Sequence, residues 1–394
     1  MKRIVTFTNL FPSSVMPTHG LFVYERMRRV AAAAGVAWSV VAPVPRVWAP
    51  LRRGVYRQWQ AVPERETWSQ VDVWHPRYRH WPGLSVRRQA AAMAAGARAA
   101  VRELAAQGPI VLDAHYLWPD GVAAAQLAAE LGVPFTLTAR GSDLNVLAQD
   151  PELARRIAAA AQRAAACAAV SRDLGDKFAF VARLPRERIY DARNGVDLER
   201  FAPGDGAAAR RALGLPAQGR LLLGVGRLVV GKGFAVAARA LAQLPEDVRL
   251  VLVGDGPQRA AIEAAAPAGR VVFLGNRGPD EVAMAYRAAD LLVLPSEREG
   301  WPNVVTEALA SGLRVLATPV GGIPEILALP AEGDLGRGAL VPVGDVDAFA
   351  AAARRLLEAP ADREAVRAFA EQYGWRQPVE LLAAVFRRLL GEAA

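Results

Sequence analysis

A single cysteine, Cys167, stands among 394 residues. That scarcity excludes a disulfide framework and any metal site built on paired thiolates. Its surroundings, AAACAAVS, predict a buried structural thiol. Long uncharged apolar runs are missing as well: 53% of the residues are hydrophobic, yet none of the runs reaches the roughly 20 residues needed to span a bilayer. The opening MKRIVTFTNLFPSS has a basic pair, but Thr8, Asn9 and Pro12 break its apolar run. It reads as a first strand rather than a leader, which makes the cytoplasm the expected location. Acidic metal-binding motifs are equally scarce. The only Asp-x-Asp, Asp345-Val346-Asp347, precedes AFAAAARRLL and reads as a helix cap followed by a first-turn acid, a poor metal site.

What is present is length, alternation and an uneven charge. A chain of this size exceeds what one hydrophobic core usually organises, so two domains of roughly 200 residues are expected. Apolar runs (RIVTF, WSVVAP, PIVLDA, PFTLTA, CAAVS) alternate with helix-compatible segments, and the alternation restarts after residue 215 with RLLLGVG, VRLVLVG, RVVFLG, DLLVLP and RVLAT. Continuous apolar strands separated by helices predict parallel sheets covered on both faces, hence two doubly wound α/β domains. The Gly-, Pro- and Ala-rich stretch 201–219 is the expected linker. Residues 1–197 carry 26 Lys and Arg against 16 Asp and Glu, a net +10, while the remainder balances to −1. A basic half joined to a neutral one predicts that the first half meets something anionic.

In open α/β sheets ligands bind beyond the carboxyl ends of strands, which directs attention to two loops of the second half. The first, LGVGRLVVGKGFAVAARAL, sets Gly224, Gly226, Gly231 and Gly233 around Arg227 and Lys232 before a helix. Glycines permit close backbone approach, a helix start offers unpaired N–H groups, and two cations suit a diphosphate. Residues 226–232 also satisfy Gly-x4-Gly-Lys, but Gly233 stands where a P-loop needs Ser or Thr. The second loop, SEREGWPNVVTEALASG, places Glu299 before a turn and Glu307 on the following helix, with Asn303 as the expected cap. A carboxylate near a helix start is favoured by the dipole alone; it is also an acceptor suited to hydroxyls, so one glutamate could grip a ribose and the other a sugar.

With these blocks in view, the chain closely resembles the family 4 retaining glycosyltransferases, which have the GT-B fold of two Rossmann-like domains facing across a cleft. GRLVVGKG, VGDGP, VVFLG, AADLLVLPSEREGWPNVVTEALASG and TPVGGIPE stand in that family's order. The resemblance implies a nucleotide-sugar donor and retention of configuration. Arg227 and Lys232 would hold its diphosphate, Glu307 the ribose and Glu299 the transferred sugar, with Gly226 in the loop and Gly300, Trp301, Pro302 and Asn303 around the sugar. Base recognition would run largely through backbone near Gly275 and Asn276. In the first domain (1–200), Gly20 occupies the place of a glycine loop that approaches the donor, and His115, just after a strand, that of a histidine contacting the donor sugar. TARGSDLN resembles a further block: Asp143 would lie close to the cleft, while Arg140, a histidine in many members, either meets an acceptor phosphate or packs. The second domain (201–376) would be followed by a helix, about 377–390, crossing back onto the first. With two cations and a helix start at the diphosphate, no essential metal and no cofactor are expected.

Residues 46–81 hold five of the nine tryptophans and seven arginines. Arg and Trp together suit an anionic, apolar-backed interface, so this region is expected either to rest on the inner face of a membrane and present a lipid-linked acceptor or to pack as a long irregular loop. Interleaved Arg and aromatics can also stack nucleic-acid bases, but no recognised nucleic-acid motif accompanies them and no nucleic acid is expected. Two rivals remain open at this point: a sugar-nucleotide epimerase of the same architecture, and a nonenzymatic sugar-nucleotide or membrane-binding scaffold.

Overall fold

A computed structural model describes residues 1–48, 50, 53–329 and 336–391. The chain divides into two compact units: Met1–Asn194 together with the segment from Arg376 onward, and Gly195–Trp375. In the first unit the strands are β1 (Arg3–Phe7), β2 (Ala37–Val41), β3 (Val44–Arg46), β4 (Arg65–Trp68), β5 (Val71–Trp74), β6 (Arg77–Arg79), β7 (Ile110–His115), β8 (Phe135–Ala139), β9 (Ala166–Ala169) and β10 (Ile189–Asp191). Eight of them form one sheet in the order β10-β9-β8-β7-β1-β2-β5-β4, parallel except where β4 turns back on β5. The second unit contributes β11 (Leu221–Val225), β12 (Arg249–Val253), β13 (Val271–Gly275), β14 (Leu291–Leu294), β15 (Val315–Ala317) and β16 (Gly338–Leu340), all parallel in the order β13-β12-β11-β14-β15-β16. Each unit is thus a Rossmann-like α/β domain.

The strand interiors explain the parallel arrangement. Every residue of β7, β8, β11 and β14 is buried, as strands covered by helices on both faces must be. In each sheet the strand order reverses once beside the first strand, between β1 and β7 and between β11 and β14. Adjacent connections leave toward opposite faces there and open a crevice at the carboxyl ends. Thr8 and His115 flank the first reversal; Gly226 and Pro295 flank the second.

Two boundaries differ from expectation. Residues 195–200 belong to the second unit, not the first: Val196 bridges to Gly374, and Arg367 donates to the carbonyls of Leu198 and Phe201. Nor is 201–219 a free linker. Asp205 caps a helix, Gly206–Ala212, that packs on the helix Pro279–Ala288, because a capped Ala-rich segment gains more by folding onto an apolar neighbour than by remaining a tether. The last helix, Arg376–Leu389, packs against Leu21–Ala34 of the first unit. Cys167 is buried, its thiol pushed up to about 12 by that burial.

The Trp- and Arg-rich segment is more ordered than an irregular loop. Of its residues, Ala49, Leu51 and Arg52 lie outside the described ones. β3 and β6 form a parallel ribbon with Arg46 opposite Arg79, and His80 N–H donates to Arg46 O. Trp48 and Trp81 therefore leave the ribbon at matching positions, 62% and 50% exposed. Beyond them Leu84 is 88% exposed, and the helix Val55–Ala61 buries none of its residues. Trp74 instead packs into the sheet under the guanidinium of Arg65, 4.7 Å from its ring centre.

Candidate active site

In the second unit, β11 delivers the chain into the loop Gly226–Gly233, which ends where the helix Phe234–Ala240 begins. Gly233 sits at φ 68°, and a side chain there would place its Cβ 1.9 Å from the carbonyl oxygen of Pro295 at the end of β14. Only glycine allows the two loops to meet. Gly231 O then accepts from Glu297 N–H at 3.0 Å. This closeness brings Lys232 Nζ to 2.6 Å from Glu299 Oε1, the oxygen that also accepts from Ser296 Oγ at 2.7 Å. Arg227 projects from the same loop, exposed, with no polar side-chain partner among the described residues. A cation held ready without a carboxylate, beside one bound to a carboxylate, suits a polyanionic ligand.

The turn after Glu299 is fixed from both sides. Gly300 O accepts from Gly322 N–H at 2.9 Å, and Trp301 is buried edge-on against Tyr373 with no acceptor for its indole N–H among the described residues. Pro302, not Asn303, occupies the cap position; Asn303 is the first residue of the helix Asn303–Ala310. Proline fits there because its fixed φ suits a helix entry and its missing N–H is not needed. Glu307, one turn on, accepts from Tyr286 Oη at 2.9 Å. Burial pushes its carboxyl up to about 7, against the opposing pull of the Tyr286 hydroxyl and the Arg200 charge. Gly275 ends β13 at φ 70°, its carbonyl bonded to Gly254 N–H at 2.8 Å, and Asn276 beyond it is exposed. Asp345 caps the helix Val346–Glu358, while Asp347 accepts from Gln243; the pair is occupied structurally.

The first unit arranges its candidates differently. Gly20 is needed by the chain itself: at φ 65° a Cβ there would lie 2.2 Å from the backbone of Leu10. His115 is 1% exposed at the end of β7. Arg140 donates to its Nδ1 at 2.5 Å, and a guanidinium can only donate, so Nδ1 is the bare nitrogen and Nε2–H donates to Asp113 Oδ2 at 2.7 Å. The ring is neutral, with its pKa lowered to about 4 by burial, which outweighs the attraction of Asp113; Arg140 and Arg26 lower it further. Asp113 also accepts from Thr136 at 2.8 Å, and although burial opposes ionisation, His115 and Arg140 hold its carboxyl below the usual range. Arg140 and the buried Arg26 both donate to Asn194 Oδ1, at 3.0 and 2.8 Å. Asp143 is wholly enclosed, gathering the N–H groups of Arg140, Gly141, Leu144 and Leu117. It fixes the backbone on which Arg140 stands.

Sequence reasoning missed the partners Ser296, Tyr286 and Asp113. Only Asp113 left a signal, a charged residue within the apolar run IVLDAH.

Known proteins carry the same organisation. Residues 219–359 match the family described as Glycosyl transferases group 1, and residues 23–200 match Glycosyltransferase Family 4. TuaC of Bacillus subtilis, named for a role as a teichuronic acid biosynthesis glycosyltransferase, is 32% identical over 331 residues, covering 82% of each chain. The chain belongs to the family 4 glycosyltransferases. A D-inositol 3-phosphate glycosyltransferase of Mycobacterium leprae is 36% identical over 228 residues, 54% of this chain and 52% of the relative. Among solved structures, sucrose-phosphate synthase from Thermosynechococcus elongatus superposes with a TM-score of 0.77 at 21% identity over 99% of both chains. Anabaena Alr3699/HepE, solved with UDP and glucose, does so at 0.71 and 19% identity over 98% of both. These likenesses are of fold, and the fold of this family 4 member is of the GT-B type.

Proposed function

We propose that this glycosyltransferase moves a sugar, with retention, from a UDP- or GDP-sugar to a sugar or lipid-linked acceptor in cell-surface polysaccharide or glycolipid synthesis, without an essential metal. The observation that carries the reading is the exposed Arg227 beside the Lys232–Glu299 pair at a strand-order reversal. Arg227 and Lys232 bind the diphosphate and stabilise its charge as it leaves, the electrostatic part otherwise assigned to a metal. Glu299 orients the sugar and Glu307, when ionised, accepts from the ribose. Gly300, Trp301, Pro302 and Asn303 shape the sugar's surroundings, and backbone at Gly226, Gly275 and Asn276 meets the nucleotide. On the acceptor side Arg140, only partly buried, is the contact, and Asp143 serves it indirectly. His115 acts as a positioning residue for Arg140, because any approach to a sugar would first have to displace that guanidinium.

The test is donor hydrolysis and thermal shift across UDP-, GDP- and ADP-sugars with EDTA present. A selective shift with slow sugar release supports the reading; conversion to an epimer, or no response from folded protein, overturns it.

The matched exposure of Trp48 and Trp81 beside Leu84, Arg53, Arg57 and Arg79 favours one addition: this surface rests on an anionic membrane at the cytoplasmic face. The Trp48→Ala, Trp81→Ala double variant is expected to lose flotation with anionic liposomes that the parent chain shows at low salt. Absence of flotation by the parent chain sinks this addition and leaves the transferase reading untouched. No helix among the described residues is long and apolar enough to cross a membrane.

A further inference from the structure

The amino-terminal edge of the second sheet, opposite the Arg227 loop, holds a separate polar cleft of about 270 Å³. Its walls are set by residues that immediately precede strands: Arg220 before β11, Asp290 before β14 and Arg314 before β15, joined by Glu358 and Arg363. Arg210 reaches Asp290 from behind, 2.8 Å from Oδ2. Four guanidinium groups thus gather around two carboxylates, an excess of positive charge within one small space.

Part of this cluster is structural. Arg210 spends its donors on Asp290 and on the carbonyls of Ala217, Gly219 and Ala288. Arg314 holds the end of the helix Val346–Glu358 through the carbonyls of Leu356, Ala359 and Pro360. Asp290 is nearly saturated, since the Oδ2 held by Arg210 also accepts from Leu221 N–H at 2.8 Å. The remainder is not accounted for by folding. A guanidinium has five N–H donors. Arg220 uses one, in a long 3.4 Å contact to Asp290, and Arg363 uses one, to Ala289 O at 2.5 Å. Arg363 also opens the helix Arg363–Ala370, where the dipole disfavours a cation. Burial lowers the pKa of Arg314, and its neighbours Arg220 and Arg363 lower it further, as crowded like charges do.

Two guanidiniums with open forks, backed by uncompensated charge, match the oxygens of a phosphate group, and the volume, just below that of drug-sized ligand pockets, suits a small anion. We propose that this cleft binds a phosphate-bearing small anion, a free diphosphate or a phosphorylated sugar, at a site distinct from the donor loop.

The test uses the full chain carrying Arg227→Ala and Lys232→Ala, so that the donor loop cannot contribute. Calorimetric titrations are run with sodium pyrophosphate and with a hexose 6-phosphate, against potassium chloride of matched ionic strength. Saturable binding of either is expected; pyrophosphate the tighter assigns a free diphosphate, the hexose phosphate the tighter a sugar ester. Adding Arg220→Ser and Arg363→Gln is expected to weaken binding about tenfold or more, the loss of charged hydrogen bonds. Arg220→Glu alone, at an exposed position, is expected to do the same without loss of fold. No saturable binding, unchanged affinity in these variants, or equal heats with chloride overturns the proposal.

Discussion

At the strand-order reversal of the first sheet, both ring nitrogens of His115 are engaged and Asp113 accepts from three neighbours, His115, Thr136 and Thr6. At the reversal of the second, Arg227 is exposed without a polar side-chain partner among the described residues, and Lys232 shares a single carboxylate oxygen with Ser296. The topology is the same in the two places, but the charges are spent differently. In the first unit they hold the loops in place, so removing one should register chiefly as lost stability. In the second, on the proposed function, they serve a bound donor, so removing one should register as lost turnover.

The largest effect is expected from Asp113→Ala, which leaves the buried Arg26 with no compensating carboxylate among the described residues, Arg140 with Asp143 alone, and His115 without its acceptor. It should destabilise by about 3–5 kcal/mol in urea unfolding, the usual cost of breaking a buried charged cluster. A loss under about 1 kcal/mol would mean that the network is not what holds these loops. Next, Arg227→Ala should lower turnover by about 10²–10³, roughly 2.7–4 kcal/mol in the barrier, with the unfolding midpoint unchanged. Turnover at the level of the parent enzyme would remove Arg227 from the chemistry. Gly233→Ala blurs the comparison deliberately. Its strained φ and the contact with Pro295 should cost about 1–3 kcal/mol of stability and also pull Lys232 out of register, so melting and activity should fall together.

The smallest effect is a matter of pH. With its carboxyl raised to about 7, Glu307 is ionised only above that value in the folded chain but near pH 4.3 in the unfolded one. Between these values the folded state binds the extra proton, so this group's contribution to stability falls as pH rises, by a modest amount given its partial exposure. Donor affinity should move the other way, strengthening as pH rises through about 7. Tyr286→Phe removes the hydroxyl that favours the ionised form and should move that midpoint upward by roughly half a unit. Isothermal titration from pH 5.5 to 8.5 reads both; a flat profile would take Glu307 out of donor binding.

Much of the second unit was legible in the chain. Strands such as LLVL and LLLGV are apolar throughout, and a parallel strand covered on both faces has to be. The glycines, cations and glutamates of the two candidate loops sit within short stretches of sequence, because a strand-to-helix turn collects its chemistry locally. The segment 44–79 was less legible. Its short strands and exposed helix carry no long apolar period, and the ribbon of β3 and β6 pairs residues far apart in sequence. The position of the domain boundary was also hidden, since residues 195–200 are assigned by partners at 280, 367 and 374.

By itself the sequence determined the class of fold, the two-domain plan and which residues gather at the strand ends, because periodicity, glycine placement and local charge are properties of neighbouring residues. Tertiary structure decided what those residues are free to do. Whether a histidine at a strand end faces solvent or is locked between an aspartate two residues back and an arginine from the next strand's end depends on packing between distant segments. So does the state of Glu307, whose proton is set by burial and by a tyrosine 21 positions away. Burial and long-range hydrogen bonds fix protonation and availability, and neither is written in local sequence.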